Sequence, residues 1–380
     1  MKVDVCVVGS GIAGLTTAYL LMREDKSAVI LDDGPIGGGE AERTTGHLTH
    51  LLDNRYCELE CLHGEKGSRL TARSHTVAIS CIEAIVANER IDCDFERVDA
   101  YLFVPPGESP DILERELAAA HRAGLTGVER LARAPVDSFD TGPCLRFPQQ
   151  AQFHPRKYLN GLARIIQRNG GRIFSGMQVA RIEDGLLLEV ETRGGGIVMA
   201  DTLVVATSTP VDDRVAVPTK LAPCRTYVIG AKVPRGSVPR ALYRDSANPC
   251  HYACVHSLPL GKWSEEAYDL LIVGGEDHHT GSADDAETRW ACLEEWARQR
   301  FTMISGIEYG LSGQVMKPID SLAFIGRNPM DQPNVYIAAG DSGYGMTHGT
   351  IAGLLLTDLI CGRENEWAGL YDPGRPTSRT

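Results

Sequence analysis

Val3-Asp4-Val5-Cys6-Val7-Val8-Gly9-Ser10-Gly11-Ile12-Ala13-Gly14 opens the chain, and Ala28-Val29-Ile30-Leu31-Asp32 follows it. The first run reads as a strand, a glycine turn and the start of a helix over 12–22. The second reads as a strand closed by an acid at the separation that a dinucleotide's adenosine ribose requires. Gly9 permits the tight turn, Gly11 lets a pyrophosphate approach the backbone, and Gly14 lets the helix pack on the sheet. The amides at the helix start, around Ile12 and Ala13, face the phosphates and stabilise their charge. Glycines serving close packing alone would be the plainer account, but strand, helix and acid together favour dinucleotide binding.

With 380 residues the chain is too long for one ordinary core and suits two domains. An apolar fraction of 43% beside 23% charged residues is that of a globular protein. The net charge of -12 repels nucleic acid and anionic membranes, so neither is expected as a partner. No signal peptide fits, because strand pattern begins at residue 2 or 3. No apolar run reaches the roughly 18 to 20 residues that span a bilayer. A cytoplasmic protein is the expectation. Eleven scattered cysteines, with no CxxC, suit reduced thiols better than a disulfide framework or a dithiol reductase. Cys57, Cys61 and His63, like Cys250, Cys254 and His256, offer ligand types but match no zinc spacing, and no metal is expected.

Gly34-Pro35-Ile36-Gly37-Gly38-Gly39 excludes a helix or a central strand and reads as a loop. A long helical pattern spans 56–88, broken near Gly64 and Gly67. Residues 95–104 read as a strand, and helices are expected over 112–123 and 156–168, the second opened by Pro155. Strands follow at 172–174, 185–192, 196–199 and 202–207, then at 225–235, 241–256 and 267–276 in a largely antiparallel sheet, before a helix over 286–301. Val335 to Ala339 reads as a buried strand, Gly340 to Gly345 as a glycine loop and Ile351 to Ile360 as a helix. The expected architecture is α/β, with a Rossmann-like nucleotide-binding domain over 1–90, 143–215 and 318–370. An α+β domain built on the antiparallel sheet, 91–142 and 216–317, is inserted into it, and 371–380 reads as a flexible tail.

The opening motif serves NAD and FAD alike. The C-terminal strand, glycine loop and helix favour a flavin, because amides near Met346, Thr347 and His348 at a helix start can stabilise charge that builds on a reduced ring. No second GxGxxG supplies a nicotinamide domain. On Val7 to Gly14, Gly37 to Thr45, Gly176-Met177-Gln178-Val179, Val204-Val205-Ala206-Thr207, Phe324-Ile325-Gly326-Arg327 and Gly340 to Gly349, nearly the whole chain resembles one superfamily. It is the FAD-dependent oxidoreductase superfamily that contains D-amino-acid oxidase, glycine oxidase and sarcosine oxidase. Arg43 to Thr49 and Gly345 to Thr350 are similar to a subgroup often fused to a Rieske iron-sulfur domain. In these 380 residues no CxH is followed by a CxxH.

The resemblance implies an FAD-binding domain, a substrate-binding domain and oxidation of a carbon–nitrogen bond by hydride transfer to flavin N5. Gly9, Gly11, Ile12, Ala13, Gly14, Asp32 and Asp33 are expected at the pyrophosphate and ribose. Gly38, Gly39, Arg43, Thr44 and Thr45 are expected on the phosphate and flavin side, and Val179, Ala206 and Thr207 along the adenine end and under the dinucleotide. Gly340, Asp341, Gly345, Met346 and Thr347 are expected to meet the isoalloxazine. Val315 stands where relatives carry a carboxylate-binding arginine, with Lys317 the nearest cation, and Ile272 where others carry an oxygen-activating lysine. Val315 or Met316 replaces the cysteine that bonds FAD in one branch, so non-covalent FAD is expected.

His47, His348 and Lys317 are the catalytic candidates. Each histidine is read as a proton carrier near neutral pH, as a hydrogen-bond donor to flavin or substrate, or as a hydrogen-bonded group holding its loop. Of Tyr227, Tyr252 and Lys317, about one is expected in the pocket, and His278 and His279 are read as an exposed turn. The expected partners are a small amine-like substrate and an acceptor, either oxygen or an electron-carrier protein. A homo-oligomer is left open. A flavin-binding protein without catalysis is the third reading.

Overall fold

A computed structural model of the chain describes residues 1–39, 44–183, 187–207, 220–257, 268–281, 285–330 and 333–377. In order, the first half contains β1 (Lys2–Val8), α1 (Ile12–Met22), β2 (Ala28–Leu31), β3 (His47–Leu48), α2 (Tyr56–Glu89), β4 (Glu96–Phe103), α3 (Asp111–Arg122), β5 (Glu129–Leu131), β6 (Cys144–Gln152), α4 (Pro155–Arg168) and β7 (Arg172–Phe174). The second half contains β8 (Val179–Glu183), β9 (Leu188–Thr192), β10 (Ile197–Val205), β11 (Leu221–Pro234), β12 (Leu242–Asp245), β13 (Tyr252–Ser257) and β14 (Tyr268–His279). It ends with α5 (Ala286–Arg300), β15 (Gly306–Pro318), β16 (Phe324–Arg327), β17 (Val335–Ala339), α6 (Gly345–Ile360) and α7 (Ala368–Tyr371).

Two sheets organise these elements. The first runs β16-β17-β10-β1-β2-β7, with β9 on the first half of β10 and β8 on β9. Its centre is parallel, β1 lying between β10 and β2. These strands are nearly continuous apolar runs because helices cover one face and the β8–β9 layer joins the cluster on the other. The second sheet runs β15-β11-β14-β13-β12-β4-β6-β3 and is antiparallel except between β12 and β4. The α/β architecture with a largely antiparallel second sheet is therefore the one observed.

α1 and α6 are packed against one another through their N-terminal halves. A Cβ on Gly349 would strike Ile12 Cγ2 and come within 3.0 Å of the Ala13 nitrogen, and one on Gly353 would come within 2.5 Å of Thr16 Cγ2. Only glycine permits this approach, and it draws the two chain ends together.

Several local expectations need correction. β6 and β15 were not anticipated as strands. β6 lies in the 143–215 piece assigned to the nucleotide-binding half, yet it pairs with β4 in the second sheet. The stretch 241–256 is two strands, β12 and β13, separated by a turn. The 196–199 and 202–207 strands are one, β10, whose start pairs with β9 and whose end pairs with β1 and β17. α6 begins at Gly345, six residues before the expected start, because packing on α1 outweighs the poor helix propensity of its glycines. The segment read as a flexible tail holds Arg375, which is only 8% exposed and bonded to Asp320.

Candidate active site

One cleft of about 860 Å³ runs from the glycine turn after β1 to the inner face of the second sheet. That volume lies within the range of about 300–1,000 Å³ usual for cofactor and small-molecule sites. Of the residues expected to hold a dinucleotide, Gly9, Gly11, Ile12, Ala13, Asp32, Asp33, Gly38, Gly39, Thr44 and Thr45 line it. So do Val179, Ala206, Thr207, Gly340, Asp341, Gly345 and Met346. Arg43 lies outside the described residues. Gly14 does not line the cleft, because it is pressed against the Gly9 carbonyl. Thr347 is also turned away, buried with its hydroxyl donating to the Tyr344 carbonyl at 3.1 Å.

The geometry of the turn suits a dinucleotide. Gly9 has φ +107, and a Cβ there would come within 2.5 Å of the Ala206 carbonyl oxygen, so the turn closes over the end of β10. A Cβ on Gly11 would meet nothing within 4 Å, which leaves space beside the first-turn amides of α1 for a pyrophosphate. Asp32 accepts from the Ser10 amide at 2.5 Å and hydroxyl at 2.7 Å, and from the Gly34 amide at 2.8 Å. Its carboxylate is thereby fixed at the end of β2 with acceptor capacity to spare for a ribose. At the other end of the cleft the first-turn amides of α6, residues 345–347, lack intrahelical acceptors and suit the electron-rich edge of a flavin. These residues fit FAD.

Beyond Met346 the cleft is walled by charge. Arg244 of β12 pairs with Asp53, and the Tyr344 hydroxyl donates to the same carboxylate. Arg244 also donates to the Tyr344 oxygen at 3.0 Å and to Cys250 Sγ at 3.0 Å. Facing this group, Lys317 of β15 donates to Asp277 of β14 at 2.7 Å. Burial works to raise the pKa of Asp53, but the charges of Arg244 and Lys317 and the two hydrogen bonds outweigh it and hold the carboxyl below its usual range. Burial works to lower that of Lys317, but Asp277 and Asp53 outweigh it and raise it. Asp53, Arg244 and Lys317 are therefore charged at neutral pH. Tyr252 and Thr226 complete this end, whereas Tyr227 lies outside it, buried with its hydroxyl 3.0 Å from His278 Nε2. His278 and His279 end β14 rather than forming a separate turn.

Asp53, Arg244, Tyr344 and Asp277 escaped the sequence reading. A charge at Arg244, directly after the short apolar run Ala241-Leu242-Tyr243 on one strand, was the available signal, since a buried ion needs a partner. Nothing local marks Asp53 as that partner.

His47 and His348 both line the cleft. Burial, with the nearby His256 and Arg244 adding to it, pushes His47 down to about 3. Burial pushes His348 down to about 4 despite the bond its Nδ1 donates to the Asp341 carbonyl at 2.8 Å. Both rings are neutral at pH 7, so the expectation of proton carriers working near neutrality is not met by this geometry. The Nδ1 bond to the Asp341 carbonyl is of the loop-holding kind, while His348 Nε2 is buried with no hydrogen-bond partner among the described residues. His47 Nε2 is buried with no hydrogen-bond partner among the described residues, and its ring meets Tyr252 edge-on at 5.5 Å.

Among the described residues no group of three or more His, Cys, Asp and Glu side chains is placed to hold a metal ion, and no helix is long and apolar enough to cross a membrane.

Known proteins resemble the chain in sequence and in fold. The chain is 28% identical to the "Putative Rieske 2Fe-2S iron-sulfur protein YhfW" of Bacillus subtilis, over 98% of this chain and 71% of that protein. It is 26% identical to gamma-glutamylputrescine oxidoreductase of Escherichia coli, over 99% of this chain and 88% of that one. In fold it is similar to glycine oxidase from Geobacillus kaustophilus, with a TM-score of 0.79 at 17% identity over 99% of each chain. It is also similar to L-proline dehydrogenase from P. horikoshii, with a TM-score of 0.74 at 16% identity over 98% and 97% of the two chains. The profile of the DAO family, described as FAD dependent oxidoreductase, matches residues 4–359. Joined across one cleft by its two ends, this chain belongs to the DAO family of FAD-dependent oxidoreductases.

Proposed function

We propose that the protein oxidises a C–N bond of a small amine or amino-acid-like substrate, with oxygen as the acceptor. The observation that carries this reading is the pair of salt bridges, Asp53–Arg244 and Asp277–Lys317, facing one another beyond Met346. Each pair offers one cation and one carboxylate. A substrate carboxylate is drawn to Arg244 or Lys317, and a substrate amine to Asp53 or Asp277. The curated relative named gamma-glutamylputrescine oxidoreductase supports an amine substrate.

Held by the glycine turn, Asp32 and the first-turn amides of α6, FAD would supply the hydride acceptor for oxidation at the carbon adjacent to nitrogen. The chain's part is to place that carbon and to exclude water, which Tyr344, Tyr252 and the apolar Val315 and Met346 do by walling the site. His47 and His348, neutral at pH 7, suit hydrogen bonding to cofactor or substrate. We assign the glycine turn, Asp32 and the α6 amides to holding FAD non-covalently. The eleven cysteines, none in a disulfide among the described residues, suit the cytoplasm.

A second reading, transfer of electrons to a carrier protein, is favoured by the Rieske protein among the relatives. The purified yellow protein is mixed anaerobically with a panel of primary and secondary amines and amino acids. Bleaching at 450 nm is expected, followed by recolouring in air with release of peroxide. Bleaching with sluggish recolouring selects the carrier reading, and absence of bleaching by every compound overturns the proposed substrate class.

A further inference from the structure

Behind the second sheet, His251 stands between two carboxylates. Its Nδ1 is 3.0 Å from Asp245 Oδ2 at the end of β12, and its Nε2 is 3.0 Å from Glu276 Oε1 on β14. Asp245 is fully buried and accepts from the His251 amide at 2.8 Å and from Trp296 Nε1 at 3.2 Å. Glu276 also meets Arg289 of α5 at 3.4 Å. The imidazole stacks on Trp296 at 5.0 Å, and Arg300 lies over a Trp296 ring at 4.3 Å from its centre. Arg244 and Asp277, the sequence neighbours of these two carboxylates, line the cleft; on β14 this placement goes with an irregularity in the pairing with β11, where Glu276 takes φ 56. We propose that His251 is a positioning residue that clamps the ends of β12 and β14 together and so sets the spacing between the Arg244–Asp53 and Asp277–Lys317 pairs.

With a carboxylate oxygen on each side as acceptor, the bonding is completed when both ring nitrogens donate. The clamp is thus an imidazolium. Burial works to lower its pKa, but the bonds and charges of Asp245 and Glu276 outweigh burial and raise it. A raised histidine stabilises fully below its unfolded value of about 6.5 and loses that stabilisation as pH rises through the folded value. Without the ring's charge the two carboxylates repel and the strand ends part. No acceptor, oxidant or cofactor chemistry enters; the effect on turnover rests on the substrate site proposed above.

The test compares the FAD-loaded wild type with H251Q and H251Q/E276Q. Thermal unfolding from pH 6 to 9 should show H251Q less stable at pH 6, with the gap closing toward pH 9. The double variant, which removes one of the repelling carboxylates, should recover at least half of the loss. A gap independent of pH, no gap, or two variants that both fail to fold overturns the charge clamp, whatever the enzyme's substrate. With an amine that bleaches the flavin, H251Q should raise KM about tenfold at pH 7 while kcat stays within about twofold, the scale of a displaced binding group. The rise of KM with pH that His251 imposes on the wild type should be missing from the variant. An unchanged KM profile alongside the expected stability profile overturns the link to the cleft and leaves the proposed substrate class standing. Failure of every amine to bleach removes the substrate class, and the stability arm still judges the clamp.

Discussion

Gly11 and Gly349 lie close in space but are glycines for different reasons. A Cβ on Gly11 meets nothing within 4 Å and projects into the space proposed for a pyrophosphate, whereas one on Gly349 strikes α1. The substitutions should therefore separate binding from folding. Gly11→Val should leave the apoprotein's Tm within about 2 °C and abolish FAD retention, read as the ratio of absorbance at 450 and 280 nm after gel filtration. Gly349→Val should lower apoprotein stability by about 1–3 kcal/mol through overpacking, read by denaturant unfolding. Full colour in a folded Gly11→Val protein would remove the pyrophosphate from that turn. At the cleft's other end, Asp53→Asn leaves Arg244 without its ionic partner. It should cost about 1–3 kcal/mol of stability, since Asp53 is partly exposed, and should leave FAD content unchanged.

At the scale of elements, α2 shows how a helix start is satisfied from elsewhere. Arg55 at its N-terminal boundary makes no side-chain cap, and the buried Glu116 of α3 accepts the Tyr56 amide at 2.9 Å and the Cys57 amide at 3.1 Å instead. Glu116→Gln keeps the shape but turns one acceptor into a donor facing an amide. A loss of about 1–2 kcal/mol in denaturant unfolding is expected, and no loss would show that the cap is dispensable. α2 also shows what was legible beforehand. Its span and its break were readable, because apolar spacing marks the one and Gly64, at φ 72 and ψ 171, marks the other. β1, α1, β2 and α4 were equally plain, since each is bounded by glycine, proline or a change of period. β6 and β15 were not. β15 is an edge strand, half-exposed along most of its length, and carries no apolar alternation strong enough to read. The same limit applies to the site. The dinucleotide end is written in consecutive residues around Gly9 and Gly340, while the charged end brings together Asp53, Arg244, Asp277, Lys317 and Tyr344 from five separate segments. Only folding gives those residues a common address.

For the whole molecule, closure of the two ends is reinforced by the last described residues. Arg375 stacks on Phe324 at 3.9 Å, bonds both oxygens of Asp320, and caps the Leu322 and Ala323 carbonyls beside the cleft. Arg375→Ala strands a buried carboxylate and should cost about 3–5 kcal/mol in denaturant unfolding; a change within error would make the C-terminal segment an ornament of the fold. The pH dependence of stability is also a property of the whole. Burial pushes His47 down to about 3 and His50 and His348 to about 4, and pushes His75 well down from its ordinary value. In the unfolded chain each takes a proton near pH 6.5, while the folded chain refuses it until much lower pH. The unfolded state therefore binds more protons across that window, and stability falls as pH drops from about 6.5 toward 4, by up to about 1.4 kcal/mol per pH unit for each histidine. His251 has the opposite sign and erodes stability as pH rises above its folded value. The two effects together predict a stability maximum near neutrality. His75→Gln, which lies outside the cleft lining, should flatten the acid limb by one proton's slope and leave the alkaline limb alone, as read from denaturant unfolding at pH 5, 6 and 7. An unaltered acid slope would mean that His75 is protonated in the fold, against the burial that surrounds it.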